Sequence, residues 1–235
     1  VFVDPNYGET VSSSVLVASG VTGTLATGGA TGSYSTTVPG QNVYLTFTAT
    51  AGQNLGFGLS DLVASGANYL NLAIFNPDGS YAANPSCYPS YDGCQVNLPS
   101  AVAGTYNVVI YAPSEGDRTM SFKSTLSADV AGTLTVNTTK ALSVTRRGQN
   151  GRLTFSGTAG QTLTLQVTGQ TTTPAGRDVY YTVYSPDGST LNNTSGQTTV
   201  SLSLGQLPAT GTYTVFVDPT SGETVSANLL LKPSN

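Results

Sequence analysis

The sequence predicts an all-β protein made of two tandem antiparallel β-sandwich modules of the jelly-roll or immunoglobulin-like kind. Three observations support this fold class: apolar and polar residues alternate along many short segments, turn-forming residues recur between those segments, and the chain repeats itself. Strict alternation is the signature of half-buried strands, and regularly spaced turns between short strands are typical of β-sandwiches. No segment has the apolar spacing of a helix.

The internal repeat predicts the domain boundaries. The opening segment VFVDPNYGETVSSSVLV returns as VFVDPTSGETVSANLLL from Val215, and a weaker copy, VVIYAPSEGDRTMSFKSTL, starts midway at Val108. Evenly spaced copies indicate tandem modules of about 107 residues. We therefore expect module A at residues 20–127, module B at residues 130–231, and the last hairpin of a preceding module in residues 1–17.

Each module repeats one series of strands and turns. Alternating core positions occur in YLTFTATAGQNLGF and again in RLTFSGTAGQTLTL, and a Gly-Thr-Tyr strand and a closing strand end each module. Pro-Asp-Gly-Ser turns lie between, where proline fixes φ and glycine accepts a positive φ, so Asp78 and Asp187 are predicted turn formers. The predicted inward-facing residues are Val43, Leu45, Phe47, Leu55, Phe57, Leu59, Leu70, Leu72, Ile74, Tyr106, Val108, Ile110, Leu153, Phe155, Leu163, Leu165, Val167, Tyr213, Val215, Val217, Val225, Ala227, Leu229 and Leu231.

The composition excludes several classes of function. Only 9% of the residues are charged, and the net charge is −4. A nucleic-acid-binding protein needs a basic face, which this chain lacks. No apolar run is long enough to span a membrane. Few charges combined with abundant Ser, Thr and Gly are typical of secreted or cell-surface β proteins, so we expect an extracellular or cell-surface location.

The two cysteines predict a disulfide. Cys87 and Cys94 lie in SCYPSYDGCQ, and a bond between them would close a short loop. The alternative is half of a metal site, but a structural zinc ion needs four thiolate or imidazole ligands and the chain contains no histidine. A disulfide implies an oxidising compartment.

The same loop is a candidate ligand site because tyrosines surround it. Tyr81, Tyr88 and Tyr91 lie in or beside it, whereas module B has the plain sequence NNTSGQ there. A tyrosine ring joins an apolar face to a polar tip, which suits contact with a sugar or a protein. The alternatives are a lid over the sandwich edge and a contact between modules.

Catalysis is not expected. Without histidine the usual serine triad is excluded. The three glutamates, Glu9, Glu115 and Glu223, recur at one turn of the repeat, which indicates a structural role for them. We therefore predict that the chain is not an enzyme and requires no cofactor.

Calcium is the alternative to a purely structural turn. Asp4 with Glu9, and Asp218 with Glu223, flank the same turn in two copies of the repeat. Carboxylates and loop carbonyls are the oxygen ligands that calcium prefers. The competing expectation is a solvated turn, in which alanine at these four positions would have little effect on the fold.

The order of motifs resembles the bacterial pre-peptidase C-terminal domain. In module A the order is YLTFTATAGQNL, LAIFNPDGS and AGTYNVVIY, and in module B it is RLTFSGTAGQTL, YTVYSPDGS and TGTYTVFVDP. The resemblance covers both modules and implies a small jelly-roll-like sandwich without catalytic activity. It also implies attachment to secreted proteases or strings of modules on surface proteins, some of which bind matrix or polysaccharide.

These observations predict a structural repeat segment of a bacterial extracellular stalk, adhesin or filament that assembles head to tail. The expected partners are neighbouring copies or adjacent repeats. The alternatives are a carbohydrate- or matrix-binding pair of modules and a non-catalytic appendage of a secreted hydrolase. Because a lone hairpin is marginal in water, residues 1–17 are expected to be ordered only by completing a sandwich outside modules A and B.

Overall fold

The computed structural model describes residues 7, 10–12, 14, 16–91, 93–112 and 118–234. Within this part of the chain the regular structure is β-strand, with a 3₁₀ turn at Pro89–Tyr91 and no α-helix, which confirms the predicted all-β class. Among the same residues, no helix is long and apolar enough to cross a membrane.

The predicted hairpin of residues 1–17 lies partly outside the described residues. Those that are described lie outside strands, and Tyr7, Val11, Leu16 and Val17 are exposed. The hairpin and its completion by another module therefore stay predictions.

Ten strands in the first half form two facing sheets. One sheet has the order β1-β3-β9-β5-β6, with β7 also paired to β5, and the second has the order β2-β10-β4-β8. Their bounds are β1 Val21–Thr24, β2 Gly32–Ser35, β3 Val43–Ala49, β4 Leu55–Ala64, β5 Leu70–Phe75, β6 Tyr81–Ala83, β7 Ser86–Cys87, β8 Gly93–Leu98, β9 Gly104–Ile110 and β10 Met120–Ala128.

The second half repeats this topology with nine strands. Its sheets have the orders β11-β13-β18-β15-β16 and β12-β19-β14-β17, which match the first half strand for strand apart from β7. Their bounds are β11 Val130–Thr133, β12 Lys140–Val144, β13 Gly151–Gly157, β14 Thr162–Thr173, β15 Val179–Tyr184, β16 Thr190–Gly196, β17 Val200–Gln206, β18 Gly211–Pro219 and β19 Thr224–Pro233.

The paired strands are antiparallel except for one pair in each half. Strand β1 runs parallel to β3, and β11 runs parallel to β13. In each half the strand between the pair, β2 or β12, belongs to the opposite sheet. The chain therefore returns to the first sheet in the same direction, as a parallel pair requires a crossover connection.

Each half has its own hydrophobic core between its two sheets. Each core contains one stacked aromatic pair. In module A, Phe47 stacks on Tyr106 with ring centroids 4.8 Å apart, and in module B, Phe155 stacks on Tyr213 at 5.1 Å. The tyrosine hydroxyls reach the backbone, which leaves these buried polar groups satisfied.

The Pro-Asp-Gly-Ser turns have the predicted form in both modules. Asp78 accepts hydrogen bonds from the Ser80 hydroxyl at 2.6 Å and the Ser80 backbone N–H at 2.9 Å. Asp187 accepts the same pair from Ser189 at 2.7 and 2.9 Å. These bonds, the hydroxyl's first, hold the pKa of each aspartate below its usual value.

Candidate functional site

The alternation of buried and exposed residues breaks down in β4. Leu55 and Phe57 face the core as predicted, but Gly56 and Gly58 on the outer face are buried too. They are buried because the loop between β12 and β13 of module B lies directly on them. A Cβ atom at Gly56 would overlap the carbonyl oxygen of Gly148.

The contact is one of backbone against backbone from both sides. A Cβ atom at Gly58 would lie 2.6 Å from the carbonyl oxygen of Arg147, and one at Gly148 would lie 2.6 Å from the amide nitrogen of Gly58. Gly148 also has φ +71°, a conformation that L side chains rarely adopt. Glycine at these three positions is therefore a steric requirement of the contact.

A second loop of module B reaches the same face. Between β18 and β19, Gly222 has φ +77°, and a Cβ there would lie 3.5 Å from the carbonyl oxygen of Cys94 and 3.6 Å from Cβ of Gln95. Residues 146–150 and 219–223 of module B thus both contact the outer face of the second sheet of module A. We call this contact between the modules the joint.

Side chains at the edge of the joint bind backbone across it. The Thr125 hydroxyl donates to the carbonyl oxygen of Arg147 at 2.6 Å. The Arg146 guanidinium donates to the Ser127 hydroxyl at 2.7 Å and to the carbonyl oxygen of Gly29 at 2.6 Å. Each of these hydrogen bonds links module A to module B.

A chain of polar side chains crosses the middle of the joint. The Asp218 carboxylate accepts hydrogen bonds from the Gln95 amide and, at 3.1 Å, from the Asn97 amide. The Asn97 carbonyl accepts from Asn150 at 2.8 Å, and the Asn150 amide also lies 3.3 Å from Asp129 Oδ1. The network thus connects β8 of module A and Asp129, between β10 and β11, with β18 and the loop before β13 of module B.

The network ends on an ion pair. Arg152 Nε donates to Asp129 Oδ2 at 2.8 Å, and the Asp129 side chain is only 5% exposed. The Arg152 guanidinium lies 4.6 Å from the ring centroid of Phe216, a cation–π contact. Asp129 therefore has a charged partner in an interface where an unpaired carboxylate would be costly.

Burial raises the pKa of Asp218. Hydrogen bonds from Asn97 and Gln95 act in the opposite direction, and the nearby charges of Asp129 and Glu223 add to the increase. Asp218 is therefore a titratable group whose charge is coupled to the docking of the modules.

The predicted metal residues lie in this joint where the structure describes them. The expectation of a solvated turn is wrong for Glu223, which is 1% exposed. Its Oε2 accepts the Ser221 N–H at 3.0 Å, while Oε1 is buried without a hydrogen-bond partner in the described part of the chain. Asp4 and Glu9 lie outside the described residues.

The described residues do not form a set of ligands for calcium. The described residues contain no group of three or more carboxylate or thiolate side chains placed to hold a metal ion. Asp218, the other predicted ligand, instead accepts two amide hydrogen bonds. The sequence could not reveal this because the residues that cover the turn come from the other module.

The predicted disulfide between Cys87 and Cys94 is confirmed, with Cα atoms 5.1 Å apart. It ties β7 to β8, the strand whose Gln95 and Asn97 side chains take part in the joint. Because disulfides form and persist in oxidising environments, the bond indicates a secreted or otherwise non-cytoplasmic protein.

The three predicted loop tyrosines do not form one site. Tyr88 and Tyr91 meet at 5.9 Å, and Tyr69, which the sequence did not single out, lies 5.8 Å from Tyr88. These three rings are 39–54% exposed, and we call them the tyrosine cluster. Tyr81 instead packs on Phe75 at 4.7 Å, at the other end of β5.

A cleft of about 670 Å³ opens beside the joint, with walls from both modules. We call it the junction cleft. Module A contributes Asn97, Pro99 and Ser100, and module B contributes Arg152, Tyr184, Ser185, Pro186, Gly188, Thr212, Thr214, Phe216 and Asp218.

One pattern in the sequence, a pair of glycines within a strand, indicates the joint. Glycines inside a strand weaken it and often mark a place where another backbone approaches closely. Gly56 and Gly58 occupy the outward positions of a predicted strand, and module B has Thr164 and Gln166 there.

Comparisons with known proteins give no family. No family model matches the chain, and no curated protein matches it. Among solved structures, the chain is similar to a periplasmic inhibitor of g-type lysozyme from Aeromonas hydrophila, with 18% identity, a TM-score of 0.30, and coverage of 44% of this chain and 99% of that one.

Two further solved structures are similar at lower identity. The CUB1-EGF-CUB2 domains of rat MASP-1 are 10% identical, with a TM-score of 0.26 and coverage of 86% of this chain and 97% of that one. The M60 catalytic domain with two CBM51 domains from Clostridium perfringens ZmpB is 8% identical, with a TM-score of 0.25 and coverage of 82% and 34%. Scores this low carry no argument about function.

Proposed function

We propose that the chain is a structural segment of a bacterial extracellular stalk, adhesin or filament in which modules A and B act as one rigid unit. The observation that carries this proposal is the joint, where Gly56 and Gly58 receive the backbone of Gly148. Backbones packed this closely permit neither sliding nor rotation without breaking the contact.

The connection between the modules supports rigidity. Strand β10 ends at Ala128 and β11 begins at Val130, so one residue joins them. That residue, Asp129, donates its N–H to the carbonyl oxygen of Asn54 at 3.1 Å and pairs its carboxylate with Arg152. A one-residue link bonded on both sides does not act as a flexible linker.

The direction of the contact supports head-to-tail assembly. Two loops at one end of module B lie on a sheet face of module A, so the two partners use different surfaces. Contacts between unlike surfaces generate open chains when the rotation does not close. The disulfide beside the joint adds resistance to unfolding in module A.

Small-angle X-ray scattering of the chain in solution tests the rigid unit. We expect the profile to match the one calculated from the docked modules. Chain dimensions that fit only an ensemble of independently moving modules would overturn the proposal.

Electron microscopy of the native material tests the filament. We expect regular extended particles with a repeat that corresponds to an A–B pair. Native material that consists only of single chains of this length, with no association at any concentration, would remove the filament and leave a rigid two-module protein.

A further inference from the structure

We propose that the junction cleft binds an uncharged oligosaccharide. This adds a binding activity to the structural role and rests on the docked joint, because both modules build the walls. At about 670 Å³ the cleft has the size of a ligand site. Its floor is the outer face of β18, and module A closes one side.

The charges in the cleft are already satisfied. Arg152 and Asp218 are the two charged side chains of the described lining. Arg152 is paired with Asp129 at 2.8 Å, and Asp218 accepts hydrogen bonds from the Gln95 and Asn97 amides. An ionic ligand would have to break these pairs, so the cleft favours a neutral ligand.

The uncharged lining matches the chemistry of a sugar ring. Thr214 and Tyr184 are cross-strand neighbours on β18 and β15, and Phe216 follows two residues along the same face. The Tyr184 ring offers an apolar face for the C–H surface of a sugar, whereas Phe216 is buried beneath the Arg152 guanidinium and shapes the floor. Hydroxyls both donate and accept. Thr212, Ser185 and Ser100 add further hydroxyls to the lining.

A polypeptide ligand fits the cleft less well. Peptides commonly bind by adding a strand to an exposed sheet edge. Strand β18 lies between β13 and β15 and is hydrogen-bonded to both, so its backbone offers no free edge. Recognition in the cleft must therefore come from side chains, which suits a polyhydroxylated ligand.

Binding is tested with a panel of neutral hexasaccharides (β-1,4-linked glucose, N-acetylglucosamine and mannose, and α-1,4-linked glucose), using isothermal titration calorimetry on the full chain. Polygalacturonate and gelatin serve as acidic and polypeptide probes. We expect at least one neutral hexasaccharide to bind. Tyr184→Ala and Thr214→Val should each weaken that binding by about tenfold, which is the order of one ring or hydroxyl contact.

Tyr180→Ala is the matched control. Tyr180 lies on the same strand and is 47% exposed, but it does not line the cleft, so affinity should stay unchanged. Tyr184→Phe keeps the ring and should retain most of the affinity. Thermal unfolding of each variant checks that a loss of binding is not a loss of fold.

Three results would overturn the proposal. The first is no binding of any neutral probe by a chain whose scattering shows docked modules. The second is binding of polygalacturonate or gelatin alone. The third is binding that Tyr88→Ala in the tyrosine cluster abolishes while Tyr184→Ala leaves it intact. Undocked modules in the scattering experiment would instead refute the proposed rigid unit, so failure of the rigid unit and failure of ligand binding are measured separately.

Discussion

The second sheet of module A and the second sheet of module B occupy the same place in the same topology, but their outer faces differ. In module A, Gly56 pairs with Ser127 and Gly58 pairs with Thr125. Neither glycine has a side chain, and the loop of residues 146–150 of module B lies on this face.

At the corresponding positions of module B, Thr164 pairs with Lys232 and Gln166 pairs with Leu230. These larger side chains are half-buried, and Ser226 and Asn228 on the same strand are exposed. A loop backbone cannot approach this face as closely as it approaches Gly56 and Gly58. The comparison shows why the loop of module B can approach this sheet of module A so closely: two strand positions of module A lack side chains.

The strongest test of this comparison is to introduce a side chain at Gly58. Gly58→Val places a branched side chain where the Arg147 carbonyl lies, so we expect the joint to open, at a cost of about 3 kcal/mol. Scattering should change from a docked to an extended, variable arrangement. Gln166→Val at the corresponding position of module B is the control and should leave the profile unchanged. An unaltered profile for Gly58→Val would contradict the docking.

The disulfide distinguishes the modules by stability. Replacing Cys87 and Cys94 by serine should lower the stability of module A by about 2.5 kcal/mol, since the closed loop is short. The second module contains no cysteine, so its unfolding should be unaffected. Calorimetry that resolves two transitions would measure this. A single transition that shifts as a whole would show that the modules unfold as one unit.

Removing the central carboxylate of the joint should have the next largest effect. Asp218→Ala leaves the half-buried Gln95 and Asn97 amides without their acceptor, which should cost about 2 kcal/mol. Urea denaturation measures the loss. Asp178→Ala removes the same charge from an exposed position of module B and should change stability little. Equal effects of the two variants would argue against the network.

The same residue predicts a pH dependence. Burial raises the folded-state pKa of Asp218 above its usual value, so between the unfolded and folded pKa values the folded protein retains a proton that the unfolded chain has lost. This contribution to stability is fully present below the unfolded pKa and is lost as the pH rises through the folded pKa. The wild type should therefore lose stability relative to Asp218→Asn as the pH rises from the unfolded pKa of Asp218 through its folded pKa. A difference independent of pH would contradict the prediction.

The smallest effect is expected where the modules are alike. Asp78→Ala and Asp187→Ala each remove the acceptor of two serine hydrogen bonds in the same exposed turn. We expect two small and equal decreases in melting temperature. Unequal decreases would show that the modules differ beyond the joint and the disulfide loop.

The alternating core strands, the Pro-Asp-Gly-Ser turns and the disulfide could be predicted from the amino-acid sequence alone. The core positions Leu45, Phe57 and Leu165 are buried as their alternation predicts, because a strand turns every second residue to the same side. The pairing of Cys87 with Cys94 followed from the number and spacing of the cysteines.

Which surfaces are covered could not be predicted from the sequence, because it depends on contacts between distant segments. Glu223 was predicted to lie in a solvated turn, and Tyr81 was grouped with Tyr88, because each prediction used neighbours along the chain. Glu223 is buried in the joint, and the extended course of β5 separates Tyr81 from the tyrosine cluster. Alternation reports which side of a strand faces its own core, but it carries no information about a second module that docks on the opposite side.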